Sequence, residues 1–186
     1  MSKPRGRHGV SKAEWLEAGL QALSKAGVAA LTIEGLAKSL RIAKAGFYLH
    51  FKNREDLLHQ LLDYWTHEIT EVITSNPELL VLKPKSRFIR AAEIILDLDL
   101  TRYEIAIRQW ALQDAATARA VKKANRLRLD FARKTLSELG FKGEDLEMRS
   151  MLFVCYHSWE SPMFPEISRK RRRNQIAKRI ELLASK

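Results

Sequence analysis

The sequence predicts an all-α protein. Apolar residues recur at helical spacing from Leu16 to Leu183. Cap residues and breakers punctuate them at intervals fitting helices of two to six turns. The one stretch that alternates like a strand, Leu96 to Leu100, is five residues with no partner strand, and it reads as a frayed helix end or a loop. At 186 residues the chain makes one domain, or a small module joined to a medium one, with 46% apolar residues to build a core. No apolar run reaches the ~18 residues of a membrane helix. The basic N-terminus lacks the apolar stretch of a secretory signal. A single cysteine, Cys155, excludes an internal disulfide framework and a cysteine-rich zinc site.

Charge is distributed unevenly. The net +11 divides into +5 over residues 1–60, zero over 61–160 and +6 over 161–186. A neutral middle between two basic ends points to a polyanion-binding surface, with nucleic acid the first candidate and an anionic membrane surface the second.

The elements follow in order. Ser11 and Glu14 form a capping box, with Val10 and Trp15 at the staple positions, and open a helix carrying Leu16, Leu20 and Leu23. Gly27 stops it, because glycine tolerates positive φ. Thr32 caps a two-turn helix with Ile33, Leu36, Ala37 and Leu40 on one face. Helical spacing resumes at Phe47 and Phe51, with Ile42 plugging the corner. Two short helices across a turn of about three residues have helix-turn-helix spacing. Asn53 caps a longer helix, with Glu55 and Asp56 at the positive end of its dipole, which ends at Asn76-Pro77. Pro84 opens another. Residues 101–139 are helix-forming, with a break at Asp114. Gly140 to Gly143 is a turn, and an unusually apolar helix runs from Glu144 to about Trp159. Pro162 and Pro165 bracket a loop, and Ser168 caps a last helix.

Residues 31–58 resemble the DNA-binding region of the TetR family of bacterial transcriptional regulators. The most specific stretch is Phe47-Tyr48-x-His50-Phe51 followed by Arg54-Glu55-x-Leu57. Glu104-x-Ala-Ile-Arg-x-Trp-Ala111, then Asp114 and Gly140-Phe141, is similar to the regulatory domain of many members. The resemblance implies a helix-turn-helix DNA-binding domain over residues 9–69, with the motif at 32–51, and a ligand-binding and dimerisation domain over 70–186. It also implies a homodimer that binds a double-stranded DNA operator and a small-molecule effector. The expected function is a ligand-released repressor, with an architectural DNA-binding protein as the alternative and a helical enzyme as the third. No cofactor, metal or membrane is expected, and the expected location is the cytoplasm.

A recognition helix needs an apolar inner face and a short polar outer one. Phe47 and Phe51 supply the first. Lys44, Ala45, Tyr48 and Leu49 lie around the second; Ala45 and Gly46 are small enough for the helix to approach the bases, and Lys44 can donate to guanine or phosphate. Thr32, Tyr48, His50 and Arg54 stand where the family contacts phosphates, and Lys52 and Arg41 are added as candidates. Arg41 replaces the family's turn glycine, at a cost of about 1 kcal/mol if φ is positive, or else reaches a phosphate. Ala43 replaces the usual Ser or Thr cap of the recognition helix, which loses about 1 kcal/mol. The arm carrying Lys3, Arg5 and Arg7 either lies in a minor groove or is solvated.

Catalytic patterns fail. His67-Glu68-Ile-Thr-Glu71 has Glu where a zincin has its second His, and Cys155 and His157 point to different helix faces. An effector pocket is implied, with Trp65, Phe88, Tyr103, Trp110, Met151, Tyr156 and Trp159 as candidate walls and Arg102, Arg108, Gln113 and His157 as candidate anchors. Met148, Leu152, Ile176, Ile180 and Leu183 are the expected dimer face. The Arg169–Arg173 run opposes a helix dipole, so it is solvated, pairs with acids across a dimer, or holds an anion at a pocket mouth.

Overall fold

The computed structural model describes residues 9–185; Lys3, Arg5 and Arg7 lie outside them. The described residues are helical, without strands, and pack as two compact units that meet in sequence between Tyr64 and Trp65.

The first unit is built from α1 (Lys12–Ala26), α2 (Ile33–Leu40), a 3₁₀ segment (Lys44–Leu49) and α3 (Arg54–Trp65). Local chemistry sets their ends. Ser11 Oγ accepts from the Glu14 amide at 3.3 Å, while Glu14 Oε2 accepts from the Ser11 amide at 2.8 Å, which closes the capping box. Gly27 ends α1 at φ 74°, a conformation that glycine adopts without a Cβ penalty. Thr32 Oγ1 caps α2 by accepting from the Gly35 amide at 3.1 Å. Asn53 Oδ1 accepts from the Asp56 amide at 2.9 Å at the head of α3. Gly19 permits the closest approach between helices. A Cβ there would meet Leu61 Cδ1 at 2.7 Å, so the tip of this α3 leucine fills the space that a side chain on α1 would take.

Two features of this unit depart from an ideal helix-turn-helix. Arg41 ends α2 in the left-handed region, at φ 57° and ψ 44°, and so carries the backbone cost expected of a non-glycine residue there. The recognition segment is 3₁₀ rather than α over Lys44–Leu49, and its N-cap Ala43 makes no side-chain bond. Six residues with an unsatisfied N-terminus and a glycine inside are too few for cooperative α-helix formation, and the tighter i to i+3 pattern results.

The second unit holds α4 (Val72–Thr74), α5 (Pro77–Leu80), α6 (Pro84–Asp97), α7 (Glu104–Ala111), α8 (Ala115–Ser137), α9 (Gly143–Met163) and α10 (Arg169–Ala184). The helix expected to run unbroken to Asn76 instead passes through a π turn at Thr66–Glu71 before α4. Asp114 caps α8 by accepting from the Thr117 amide at 2.7 Å, and Ser168 caps α10 by accepting from the Arg171 amide at 3.3 Å. α9 continues through Pro162 to Met163, further than the expected loop allowed. A proline one residue before the helix end removes only a bond of the last turn.

α8 packs on α7 and α9, and α10 packs on α6. That last pairing corrects the expected dimer face. Ile176 and Ile180 are 3% and 1% exposed within a single protomer, so they belong to its core. Met148 and Leu152 are exposed and Leu183 is half-buried. Leu182, which the sequence reading passed over, projects into solvent. No helix among the described residues is long and apolar enough to cross a membrane.

Candidate nucleic-acid interface and ligand cavities

The recognition segment is held from below by an aromatic cluster. Phe47 is fully buried, with its ring edge-on to Trp15 at 5.4 Å and tilted against Phe51 at 5.0 Å. Such pairs add about 0.5–1.5 kcal/mol each beyond burial. The opposite face is open: Lys44, Ala45, Tyr48 and Leu49 are exposed, Tyr48 by 55%, and Gly46 is half-buried beside them. This is the inside-out distribution that a groove-reading segment requires.

The polar residues around it are placed as follows. Lys44 forms an exposed ion pair with Glu34 of α2, which raises the Lys44 pKa and lowers that of Glu34. Any contact from Lys44 to DNA must therefore compete with Glu34. Thr32 accepts a capping bond, so its O–H can still donate. His50 Nε2 sits 2.9 Å from the Val10 carbonyl, which can only accept, so that nitrogen carries the proton. Arg54 donates from Nε to the Leu31 carbonyl at 2.7 Å and from Nη2 to the Val28 carbonyl at 2.8 Å. His50 and Arg54 thus also act as internal ties that position the ends of α1 and α2. Arg41 and Lys52 are exposed.

The second unit contains two neighbouring cavities that share Ile95, Thr101 and His157 as a common wall. One, of about 40 Å³, is apolar and runs from Ile69 and Thr70 of the π turn to Phe131 and Phe153. π turns are frequent at functional sites, because they free backbone groups and widen the helix. The other, of about 280 Å³, lies between α6, the residues joining α9 to α10, and α10 itself, and it is lined by Arg169, Arg172 and Arg179.

Of the eleven candidate wall and anchor residues, only His157 reaches these cavities. Trp65, Phe88, Tyr103 and Trp110 are buried packing residues, with Phe88 stacked on Phe153 at 4.2 Å. Trp159 lies under the Arg108 guanidinium at 5.3 Å. Tyr156 lines a surface groove with Met148, Leu152 and Leu182. Arg108 is committed to Glu104, and Arg102 and Gln113 are exposed.

The sequence reading missed Arg128 and Arg179, and named Arg172 only within the Arg169–Arg173 run. Glu104 is fully buried and accepts from Arg108 at 2.7 and 2.9 Å and from Arg128 at 3.0 and 3.2 Å. Arg128 also donates to Thr70 Oγ1 at 3.2 Å and Ser158 Oγ at 3.3 Å, which ties the π turn to α8 and α9. The Glu104–Arg108 pair could be found from its i, i+4 spacing. Nothing local marks the others.

The Arg169–Arg173 run is neither wholly solvated nor reserved for a second subunit. Arg172 is 3% exposed and donates to the Ile167 carbonyl at 2.9 Å and the Phe164 carbonyl at 2.5 Å. Arg173 pairs with Asp97, and Arg169 lies 3.6 Å from Asp99, both within the chain.

His157 has a testable pH signature. Its Nδ1 lies 2.8 Å from the Phe153 carbonyl, so Nδ1 carries the proton and the buried Nε2 is a bare acceptor. Burial first, and then the Arg179 charge, push its pKa from 6.5 down to about 4. The unfolded chain therefore takes up a proton at higher pH than the folded one. The stability is fully present above pH 6.5 and is lost as pH falls toward 4, by on the order of 2 kcal/mol. Urea unfolding at pH 7.0, 5.5 and 4.5 should show this slope in the wild type and a flatter one in His157→Gln. Equal slopes would mean that His157 is not buried as described.

The first unit, with a groove-reading segment over an aromatic core and basic residues around its rim, defines a helix-turn-helix DNA-binding protein. Residues 16–61 match the family described as bacterial regulatory proteins, tetR family. The N-terminal unit therefore carries the DNA-binding region that this family's model describes. The whole chain shares its fold with solved transcriptional regulators. The TetR transcriptional regulator from Legionella pneumophila is 17% identical, with 95% of this chain and 98% of that one covered at a TM-score of 0.72. FadR from Bacillus subtilis, solved with stearoyl-CoA, is 16% identical, with 94% and 98% covered at 0.68. AibR, solved with isovaleryl coenzyme A and operator DNA, is 18% identical, with 91% and 96% covered at 0.65. A comparison with curated protein sequences finds no match.

Proposed function

We propose that this protein is a homodimeric repressor, without catalytic activity, that leaves its operator when a small molecule occupies the second unit. The observation that carries the reading is the recognition segment itself, buried through Phe47 and open through Lys44, Ala45, Gly46 and Tyr48. FadR and AibR support the ligand response, since each was solved with an acyl-CoA and AibR also with operator DNA. Thr32, Arg41, Tyr48, His50, Lys52 and Arg54 fix the protein on phosphates, and Lys44 reads bases. Residues 9–69 form the DNA-binding part and 70–186 the regulatory part, in the cytoplasm beside the DNA. The exposed residues Met148, Met151, Leu152 and Leu182, with Leu183, form the subunit contact.

The reading is tested by selecting duplexes from a random pool with the full chain, then measuring affinity against salt. Binding should favour one pseudo-palindrome and fall steeply with salt as counterions are released. Tyr48→Phe should weaken all duplexes by a similar factor, whereas Lys44→Ala should change the preferred bases. Equal affinity for selected and scrambled duplexes at ~150 mM salt would remove the repressor reading and favour an architectural protein.

A further inference from the structure

We propose that the 280 Å³ cavity beside α10 is a binding site for a small organic monoanion, whose carboxylate is held by Arg172 and Arg179. The proposal deepens the ligand-response reading, because it names the chemical class of the effector.

The site is polar and unfinished. Arg172 Nη1 and Arg179 Nε are buried without hydrogen-bond partners, as is His157 Nε2, and all three residues line this cavity. A buried guanidinium nitrogen left unbonded forfeits its hydration without recompense, and this costs more for a charged group than for a neutral donor. One carboxylate, Glu160, serves both arginines. Its Oε1 accepts from Arg179 Nη1 at 3.2 Å and from the Tyr156 hydroxyl at 2.6 Å, and its Oε2 lies 3.4 Å from Arg172 Nη1 without hydrogen-bond geometry. The remaining arginine bonds go to neutral acceptors: Arg172 to the Ile167 and Phe164 carbonyls, Arg179 Nη2 to the Arg172 carbonyl at 3.3 Å, and Arg179 Nη1 to the Tyr156 hydroxyl at 2.5 Å. These neutral partners hold the two forks in place and offset no charge.

Charge identifies the ligand. The ionised side chains in the wall are Arg169, Arg172 and Arg179 against Asp99 and Glu160, which leaves one positive charge in excess with His157 neutral. A monoanion balances that excess, a dianion overshoots it and a cation is repelled. A planar carboxylate also matches the fork of a guanidinium better than a point anion does. The rest of the wall includes Ala92, Ile95, Leu96 and Ile167, which suits an apolar body. At about 280 Å³ the cavity is near the lower limit of small-molecule sites.

The test uses the full chain without DNA, so that its failure is distinct from failure of the repressor reading. Hexanoate and benzoate are titrated at pH 7 against thermal unfolding and against the His157 Cε1–H signal in proton NMR, assigned among the five histidines with His157→Gln. Either acid should raise the unfolding temperature saturably and shift that signal, while hexanamide, benzamide and hexylamine should not. Arg179→Gln, at a partly accessible position, should weaken carboxylate binding at least tenfold, and Arg179→Lys should weaken it less. If Arg179→Gln proves unfolded by circular dichroism, Glu160→Gln gives the second reading: removing the competing carboxylate should tighten binding severalfold. Four results would each overturn the proposal: amides acting as strongly as acids, inorganic phosphate binding more tightly than either acid, binding unchanged by both substitutions, or no response to either acid at 50 mM.

Discussion

Glu104→Ala is expected to destabilise the second unit by about 3–5 kcal/mol, because it strips the only carboxylate from a buried pair of guanidinium groups. Glu104 is wholly buried, and Arg108 and Arg128 both donate to it. Arg128 has 15% of its side chain exposed and cannot turn to water without abandoning Thr70 and Ser158. The uncompensated charge therefore stays inside. Glu104→Gln should cost less than Glu104→Ala, since it keeps the acceptor oxygen. Combining Glu104→Gln with Arg128→Met should recover part of the loss, because removing both charges together spares the desolvation of a lone ion. Urea unfolding followed by circular dichroism measures each variant. A loss below 1 kcal/mol for Glu104→Ala would show that water reaches the pair and that the cluster is not a structural tie. The π turn should respond as well, because Arg128 bonds Thr70 within it, and hydrogen exchange at residues 66–71 should quicken in Glu104→Ala.

Phe47→Ala should cost the first unit about 3–5 kcal/mol, the range for emptying a buried aromatic site, and abolish operator binding. No atom that faces the groove is removed. The effect arises because Phe47 anchors a six-residue 3₁₀ segment that has no side-chain cap and little intrinsic stability. Without the contacts to Trp15 and Phe51, the segment loses the support that holds Lys44 and Tyr48 in register. Phe47→Leu, which refills most of the volume, should retain much of the affinity. Hydrogen exchange over residues 12–64 separates the two outcomes. If Phe47→Ala left exchange and DNA binding unchanged, the aromatic cluster would not be what orders the recognition segment.

Interactions that span three or four residues were legible before any coordinates were known. Ser11 with Glu14, Thr32 before Gly35, Asn53 before Asp56 and Ser168 before Arg171 are all caps, and a cap depends on the order of neighbouring residues; Asp114 was legible as a break, which the fold shows to be a cap on Thr117. A positive φ at Arg41 was one of two alternatives that the family resemblance raised, and the missing cap at Ala43 came from the same comparison, whereas the burial of Phe47 and Phe51 was legible from their spacing. The 3₁₀ form of the recognition segment and the π turn at Thr66–Glu71 were not. They depend on small differences between helical hydrogen-bond patterns, which neighbouring packing can reverse.

Only the tertiary structure decided which side of a helix is covered. The stripe of Ile176 and Ile180 is as apolar as a dimer face would be, and periodicity cannot say whether α6 of the same chain or a second subunit lies against it; α6 does. Charge partners divide in the same way. Glu104–Arg108 spans four residues and could be read, whereas Glu104–Arg128, Arg87–Glu138 and Asp97–Arg173 join residues far apart in the chain. The order of residues left the Arg169–Arg173 run solvated, paired with acids across a dimer or holding an anion; in the fold Arg172 is sealed inside and its neighbours meet acids of the same chain at the end of α6. Cavities are the extreme case. Three separate segments bring Ile95, Thr101 and His157 together as one wall, and an empty space has no signature in the order of residues. Local order fixes backbone choices because they are made over one helical turn; burial, ion pairing and cavities are set by which distant surfaces meet.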